Sequence, residues 1–263
     1  MTTTTITQHA PGTFSWPELA TTDPVAAKRF YADLLGWEID DHDMGVHGTY
    51  TVFRAGGRDV SACTTLMDAL RAAGVPPHWL AYVTVDDADA AVARADAAGG
   101  RVVQPAFEVM ELGRMAVLAD PSGATFSVWQ ARKHIGAGVL GEPGSLGWTQ
   151  LNAAEPERVK PFYTQLFGWT FRDDPMPWGG TYTTWLRADA TPAGGMMPMP
   201  PGTNAPSHWL SYFVARDVDA AHAKAVALGA KTYVPPTDLP GGGRFAVLAD
   251  PQGATFGLTT AMA

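Results

Sequence analysis

A single cysteine, Cys63, stands in the 263 residues. That excludes an internal disulfide and any zinc site built on paired cysteines, and it fits a reducing, cytoplasmic setting. Basic residues are scarce: 18 Lys and Arg against 26 Asp and Glu leave a net charge of −8. With no basic run along the chain, nucleic acid and anionic membrane surfaces are disfavoured as partners. No apolar run approaches the ~20 residues that span a bilayer. The opening MTTTTITQHAPG has neither the basic nor the apolar region of a signal peptide, and residues 1–12 read as a flexible tail. A glycine-rich nucleotide loop and a serine nucleophile elbow are also missing.

What the chain has instead is repetition. Residues 113–130 read GRMAVLADPSGATFSVWQ, and residues 243–260 read GRFAVLADPQGATFGLTT. In each copy Asp-Pro-x-Gly joins two apolar runs. Proline presets φ, aspartate bonds its own backbone and glycine accepts positive φ, so each copy predicts a hairpin. Upstream, Trp148 follows Trp16, Phe162-Tyr163 follows Phe30-Tyr31, and Tyr182 follows Tyr50, each by 132 positions. Downstream, His208-Trp209-Leu210 follows His78-Trp79-Leu80 by 130. A solenoid repeat runs about 20–50 residues, so this is a domain duplication. Hydrophobic residues make up 46% and charged ones 17%, enough for each half to bury a core of its own.

Each half also reads as two β-α-β-β-β units. A strand over 13–20 places Phe14, Trp16, Glu18 and Ala20 on one face. Asp23 and Pro24 open a helix that Gly36 stops. Short strands follow near 37–40, 50–55 and 60–64, then a connecting segment, LMDALRAAGVPP. The order restarts with a strand at 78–85, a helix opened by Asp86-Asp87, and strands near 102–109, 115–119 and 125–129. The stretch 132–146, rich in glycine, reads as the linker between domains 13–131 and 147–263. The second half repeats the order, giving an α+β fold.

Four such units, with Phe-Tyr…Gly-Trp closing the first helix of each half and Asp-Pro-x-Gly before its last strand, resemble the vicinal oxygen chelate superfamily of glyoxalases, extradiol dioxygenases and bleomycin resistance proteins. Trp16-x-Glu18-Leu19-x-Thr21-Thr22-Asp23 is similar to its two-domain actinobacterial, glyoxalase-like branch. The resemblance implies two tandem glyoxalase-type domains, each curled into a half-open barrel with a ligand on its concave face. It also implies where metal ligands would stand. The first position is Trp16 in one half and Trp148 in the other. The second lies within Ser61–Cys63 or Gly195–Met197. The third is Leu80 or Leu210, and the last is Ser127 or Gly257. Side chains of Trp, Leu and Gly do not ligate metals. No metal and no cofactor is expected at these positions. A shifted set using His78 and Glu18 stays open as an alternative.

Strand alternation then lines the first pocket with Trp16, Glu18, His78, Leu80, Tyr82, Ser127 and Trp129. It lines the second with Trp148, Gln150, His208, Leu210, Tyr212, Gly257 and Thr259, and sets Met196, Met197 and Met199 nearby. Aromatic walls with few polar groups suit a small aromatic or apolar organic molecule. The expected function is metal-independent binding of such a molecule, in sequestration, resistance or secondary metabolism. The alternatives are a glyoxalase-like enzyme with Glu18 as acid or base and His78 or Tyr82 polarising the substrate, and a concave face simply filled by its tryptophans. His78 and His208 also read as strand-start anchors for the segments before them. Arg114 and Arg244 read as ion-pair residues, and Cys63 as an inert thiol. The loops 172–180 and 238–243 read as pocket rims. The expected assembly is a monomer or homodimer.

Overall fold

The structure is a computed structural model. It describes residues 5–177, 179–200, 202–203, 205–240 and 242–261, with the backbone alone at His47. The first half comprises β1 (Phe14–Thr21), α1 (Pro24–Leu35), β2 (Glu38–Asp43), β3 (Thr49–Ala55), β4 (Arg58–Thr65), α2 (Asp68–Ala72), β5 (His78–Thr84), α3 (Ala88–Ala97), β6 (Arg101–Val109), β7 (Gly113–Ala119) and β8 (Thr125–Ala131). The second comprises β9 (Leu146–Ala153), α4 (Pro156–Phe167), β10 (Thr170–Pro175), β11 (Thr181–Leu186), β12 (Pro192–Pro198), β13 (His208–Val214), α5 (Val218–Ala227), β14 (Lys231–Asp238), β15 (Arg244–Ala249) and β16 (Thr255–Thr259). The strands form two eight-stranded sheets of one topology, β2-β3-β4-β1-β5-β8-β7-β6 and β10-β11-β12-β9-β13-β16-β15-β14. The α+β class and the tandem arrangement of β-α-β-β-β units are those read from the sequence.

Local chemistry accounts for the element ends. The Asp23 carboxylate accepts from the Ala26 N–H at 3.0 Å, Pro24 takes the first helical position, and Gly36 ends α1 at φ 72°. In the hairpins, Asp120 Oδ1 accepts from the N–H groups of Ser122 (2.7 Å) and Ala124 (3.0 Å). Asp250 Oδ1 does the same for Gln252 and Ala254, both at 2.9 Å. The connecting segment after β4 is not irregular throughout but holds the short helix α2.

The halves do not bury separate cores. One apolar cluster combines Val83, Phe126 and the alanines of α3 with Val159, Phe162 and Tyr163 of α4 and with Trp169 and Trp209. The other combines Leu19, Phe30, Tyr31, Trp37 and Trp79 with Phe213, Val218 of α5 and Phe256. Helix periodicity names the buried face of a helix but not its partner, so the sequence suggested self-contained cores. The second oxygen of each hairpin aspartate crosses the boundary. Tyr31 donates its hydroxyl to Asp250 Oδ2 and Tyr163 donates to Asp120 Oδ2, each at 2.9 Å. Trp79 and Trp209 donate their indole N–H groups to the same tyrosine oxygens at 3.0 and 2.9 Å. Burial beside these carboxylates holds both phenols well above their usual range.

Three further expectations change. The register between β1 and β5 skips between Phe14 and Trp16. This bulge turns Phe14 to the convex side, where its ring lies 5.6 Å from that of Trp169 and 4.8 Å from that of Trp209. Phe14 therefore does not share a face with Trp16 and Glu18. The N-terminal segment is docked rather than loose from residue 6 onward. Ile6 donates its N–H to the Gly138 carbonyl, the buried His9 ring bonds Ala137 O at 2.8 Å, and Gly12 N–H reaches Thr84 O; residues 1–4 lie outside the described residues. Of the expected rims, 172–175 belong to β10 and Asp238 ends β14, while residues 178 and 241 lie outside the described residues.

Candidate functional site

Concave-facing positions follow from register. In the first half Trp16 pairs with Tyr82, Glu18 with both Ala62 and Leu80, Ala20 with His78, and Tyr82 with Ser127. Adjacent strands thereby bring Trp16, Glu18, Leu80, Tyr82, Ser127 and Trp129 to one face. Trp16, Tyr82 and Trp129 are only 4%, 5% and 6% exposed, so they form a packed floor rather than the walls of an open cup.

Glu18 is the one carboxyl group on that floor. Tyr50 donates its hydroxyl to Glu18 Oε2 at 2.7 Å, and Tyr82 donates to Oε1 at 3.1 Å. Burial raises the Glu18 pKa, and the two phenol hydrogen bonds offset part of that rise. Glu18 makes no ion pair among the described residues. Both phenols are pushed well above their ordinary range, first by burial and then by the nearby carboxylate. The sequence marks Tyr50 only as the repeat partner of Tyr182. Alternation along β3 would have found it, once β3 was known to lie next to β4 and its concave side was fixed.

The remaining polar groups have structural partners. The Nδ1–H of His78 donates to the Pro76 carbonyl at 2.9 Å, and that of His208 donates to Pro206 at the same distance, so both histidines anchor the segments before them. The connecting segment between the halves also reaches the floor. The His134 ring meets Trp16 edge-on at 4.8 Å, and the His134 carbonyl accepts from Trp129 Nε1 at 2.9 Å. Burial lowers the His134 pKa. Arg114 pairs with Asp89 and Glu108, and Arg244 with Asp219 and Asp238, as ion-pair residues should. Cys63 is buried, and burial pushes its thiol up to about 12, far from reactive.

The second concave face is built differently. Trp148 pairs with Tyr212, and Gln150 with both Gly195 and Leu210. Trp148 Nε1 donates to the Tyr182 oxygen at 2.8 Å, and Tyr182 donates to Gln150 Oε1 at 3.3 Å. Gln150 Nε2 donates to Asn152 Oδ1 at 2.9 Å, and Asn152 meets His208 Nε2 at 3.2 Å. The result is an uncharged chain of hydrogen bonds. Two glycines make room for it. A Cβ on Gly195 would lie 2.0 Å from the Tyr182 hydroxyl, and one on Gly257 would lie 2.1 Å from the Tyr212 ring. Thr259 is buried beside them. Met196 pairs with Leu151 and belongs to the convex core, so alternation leaves Met197, not Met196, on the concave side.

The positions where the resemblance implies metal ligands thus carry Trp16, Ala62, Leu80 and Ser127 in one half and Trp148, Gly195, Leu210 and Gly257 in the other. This donor set does not fit a metal. Among the described residues, no three His, Cys, Asp or Glu side chains stand close enough to hold one, the His78 and Glu18 pair included. Two surface recesses of about 370 and 260 Å³ lie off the concave faces. The larger runs between the halves beside Asp87, Arg94 and Phe167, and the smaller lies beside Arg58, Lys133 and His134.

A model of the Glyoxalase/Bleomycin resistance protein/Dioxygenase superfamily matches residues 13–128 and again 145–258. The chain is 40% identical over 250 residues to CFP32 of Mycobacterium tuberculosis, provisionally named a glyoxylase, with 95% of each chain covered. It is 35% identical over 261 residues to the anthracycline biosynthesis protein DnrV of Streptomyces peucetius, covering 95% of this chain and 94% of that one. Among solved structures, the Mn(II)-bound glyoxalase from Novosphingobium aromaticivorans superposes with a TM-score of 0.66 at 18% identity, over 96% of this chain and 83% of that one. A variant of homoprotocatechuate 2,3-dioxygenase from B. fuscum gives 0.67 at 17% identity, over 97% and 73%. At such identities the likeness speaks for the fold alone.

Proposed function

Because the chain belongs to the Glyoxalase/Bleomycin resistance protein/Dioxygenase superfamily while its matched ligand positions hold no metal donors, we propose that it binds a small aromatic or apolar organic molecule without a metal. The site is the concave face of the first half. The observation that carries this reading is Glu18, held by two phenol hydroxyls among Trp16, Leu80 and Trp129 where the family would place a metal. Aromatic faces offer offset stacking to a flat ring system, and Glu18 supplies one polar contact to orient it. The name of DnrV supports a place in secondary metabolism, as an accessory or sequestering protein. The setting is cytoplasmic in this reading, and no helix among the described residues is long and apolar enough to cross a membrane.

A second reading has a specific observation behind it. A carboxyl group whose pKa is raised by burial suits general acid or base catalysis, and CFP32 carries an enzyme's name. In that reading Glu18 exchanges a proton with the bound molecule and Tyr82 polarises it.

Native mass spectrometry of freshly purified protein tests the first reading, because it weighs metal and retained organic matter together. The expected mass is that of the chain alone or of the chain with one organic molecule. One divalent metal per chain, required for ligand retention, would overturn the proposal. Should turnover of a retained molecule be found, Glu18→Gln decides the second reading: lost turnover with binding intact supports it, and unchanged turnover removes Glu18 from the chemistry.

A further inference from the structure

Glu18 is a deeply placed carboxyl group with no cation of its own. β3 contributes the Tyr50 hydroxyl and β5 the Tyr82 hydroxyl, while β4 presents Ala62 and β8 presents Ser127 and Trp129. Of the nearby histidines, His78 lies two register pairs along β5 with its ring tied to Pro76, and the His134 ring meets Trp16. No lysine or arginine among the described residues pairs with Glu18. Acidic groups such as Asp41, Asp59, Asp89 and Asp173 are paired with Lys28, Arg54, Arg114 and Lys160, and the buried Asp120 and Asp250 take backbone N–H donors beside their tyrosines, whereas Glu18 has neither. The cation that Glu18 lacks is one that a ligand can bring.

The surround favours one kind of cation. Trp16, Tyr50, Tyr82 and Trp129 belong to the apolar cluster around Glu18, a setting that suits an ammonium carried on an apolar body better than a hydrated inorganic ion. Such a group satisfies the carboxylate by a charge-assisted hydrogen bond and the rings by cation–π attraction. We propose that the ligand of the first half is an organic amine, cationic at neutral pH and joined to an aromatic or apolar skeleton. This inference rests on the reading of the first concave face as the ligand site. The second half, with Gln150 in place of Glu18, has no such preference.

A proton is coupled to binding. Burial raises the Glu18 pKa and an ammonium partner favours the ionised form, so amine affinity rises with pH over the range in which Glu18 ionises.

The test uses the whole chain and two probes of one skeleton, 2-naphthylmethylamine and the neutral 2-naphthylmethanol, titrated by isothermal calorimetry near neutral pH. The amine is expected to bind about tenfold more tightly than the alcohol. Glu18→Gln should abolish the amine's roughly tenfold advantage over the alcohol. The wild-type protein supplies the same comparison without mutation, because the amine's advantage should shrink as pH falls and Glu18 protonates. Equal affinities for both probes would overturn the amine inference and leave the aromatic site standing. An amine preference that survives Glu18→Gln and acid would overturn the role of Glu18. Binding of neither probe would overturn the reading of the concave face itself, and this inference with it.

Discussion

At the floor of the first concave face, Glu18 takes hydrogen bonds from Tyr50 and Tyr82. At the same place in the second, Gln150 takes one from Tyr182 and passes another to Asn152. The strands, the register and the bulge in the first strand are shared, and so are the aromatic residues at the start of each motif. The difference is a single charge and what had to change around it. Where a carboxyl group stands, two phenols converge on it. Where an amide stands, glycines 195 and 257 let the phenols lie against the sheet and an uncharged chain runs out to His208. Duplication preserved the scaffold on the convex side and let the concave side diverge.

The convex symmetry is the first thing to break. Asp250→Ala removes two backbone turn contacts, Asp120→Ala removes the matching two and that of the Ser122 hydroxyl, and each strands a buried tyrosine hydroxyl from the other half. Each should cost about 3–4 kcal/mol of unfolding free energy, since hydrogen bonds to a charged group are worth roughly 1.5–3 kcal/mol apiece and do not sum fully. Urea denaturation measures both variants. Losses differing by more than about 1.5 kcal/mol, one such bond, would show that the two crossings are not equivalent.

Gly257→Ala separates the concave faces next. The added methyl group must displace the Tyr212 ring and should cost about 1–3 kcal/mol, the range for overpacked cores. Ser127→Ala, at the matching place, should change stability by less than about 1 kcal/mol because it adds no atom beside the paired Tyr82. Similar losses at the two sites would mean that the faces are packed alike.

Exchanging the charge sharpens the contrast further. Gln150→Glu places a carboxyl group in a neutral chain and should destabilise the fold by about 1–2 kcal/mol above neutral pH. The loss should fade in acid as the new group protonates. Glu18→Gln should do the opposite and stabilise. The Glu18 pKa is raised in the folded state, so its contribution is most favourable below the unfolded value of about 4.3 and is lost as pH rises through the folded value. The variant's gain is therefore absent near pH 4 and grows above it, by about 1.4 kcal/mol for each pH unit between the two values. Thermal melts across this range read the effect. A gain that is constant with pH would show that Glu18 does not titrate as its burial requires.

The fold was largely legible in the sequence because its signals are local. Asp23-Pro24 and Gly36 bound a helix by their own backbone chemistry, and Asp-Pro-x-Gly makes its own turn, twice over. Trp16, Leu80 and Ser127 at the matched positions likewise showed that the usual donors are missing. The non-local features were harder to see. Phe14 sits two residues before Trp16, yet a bulge sends them to opposite faces, and nothing in the alternation marks the skipped residue. Tyr50 emerges as a Glu18 partner only when β3 and β4 are placed beside β1. The docking of Ile6 and His9 depends on backbone carbonyls of the connecting segment, which no side-chain pattern announces.

The crossed bonds of Tyr31 and Tyr163 bear on how the chain is made. Tyr31 is translated 219 residues before the aspartate that accepts its hydrogen bond, and the helix it stands on packs against residues from the last fifth of the chain. An emerging first half has its sheet complete while that apolar surface is still waiting for a cover. It cannot finish folding on its own schedule. The two halves complete together, late in synthesis, and a chain cut short before Asp250 would lack both β16 and the acceptor of the Tyr31 hydroxyl.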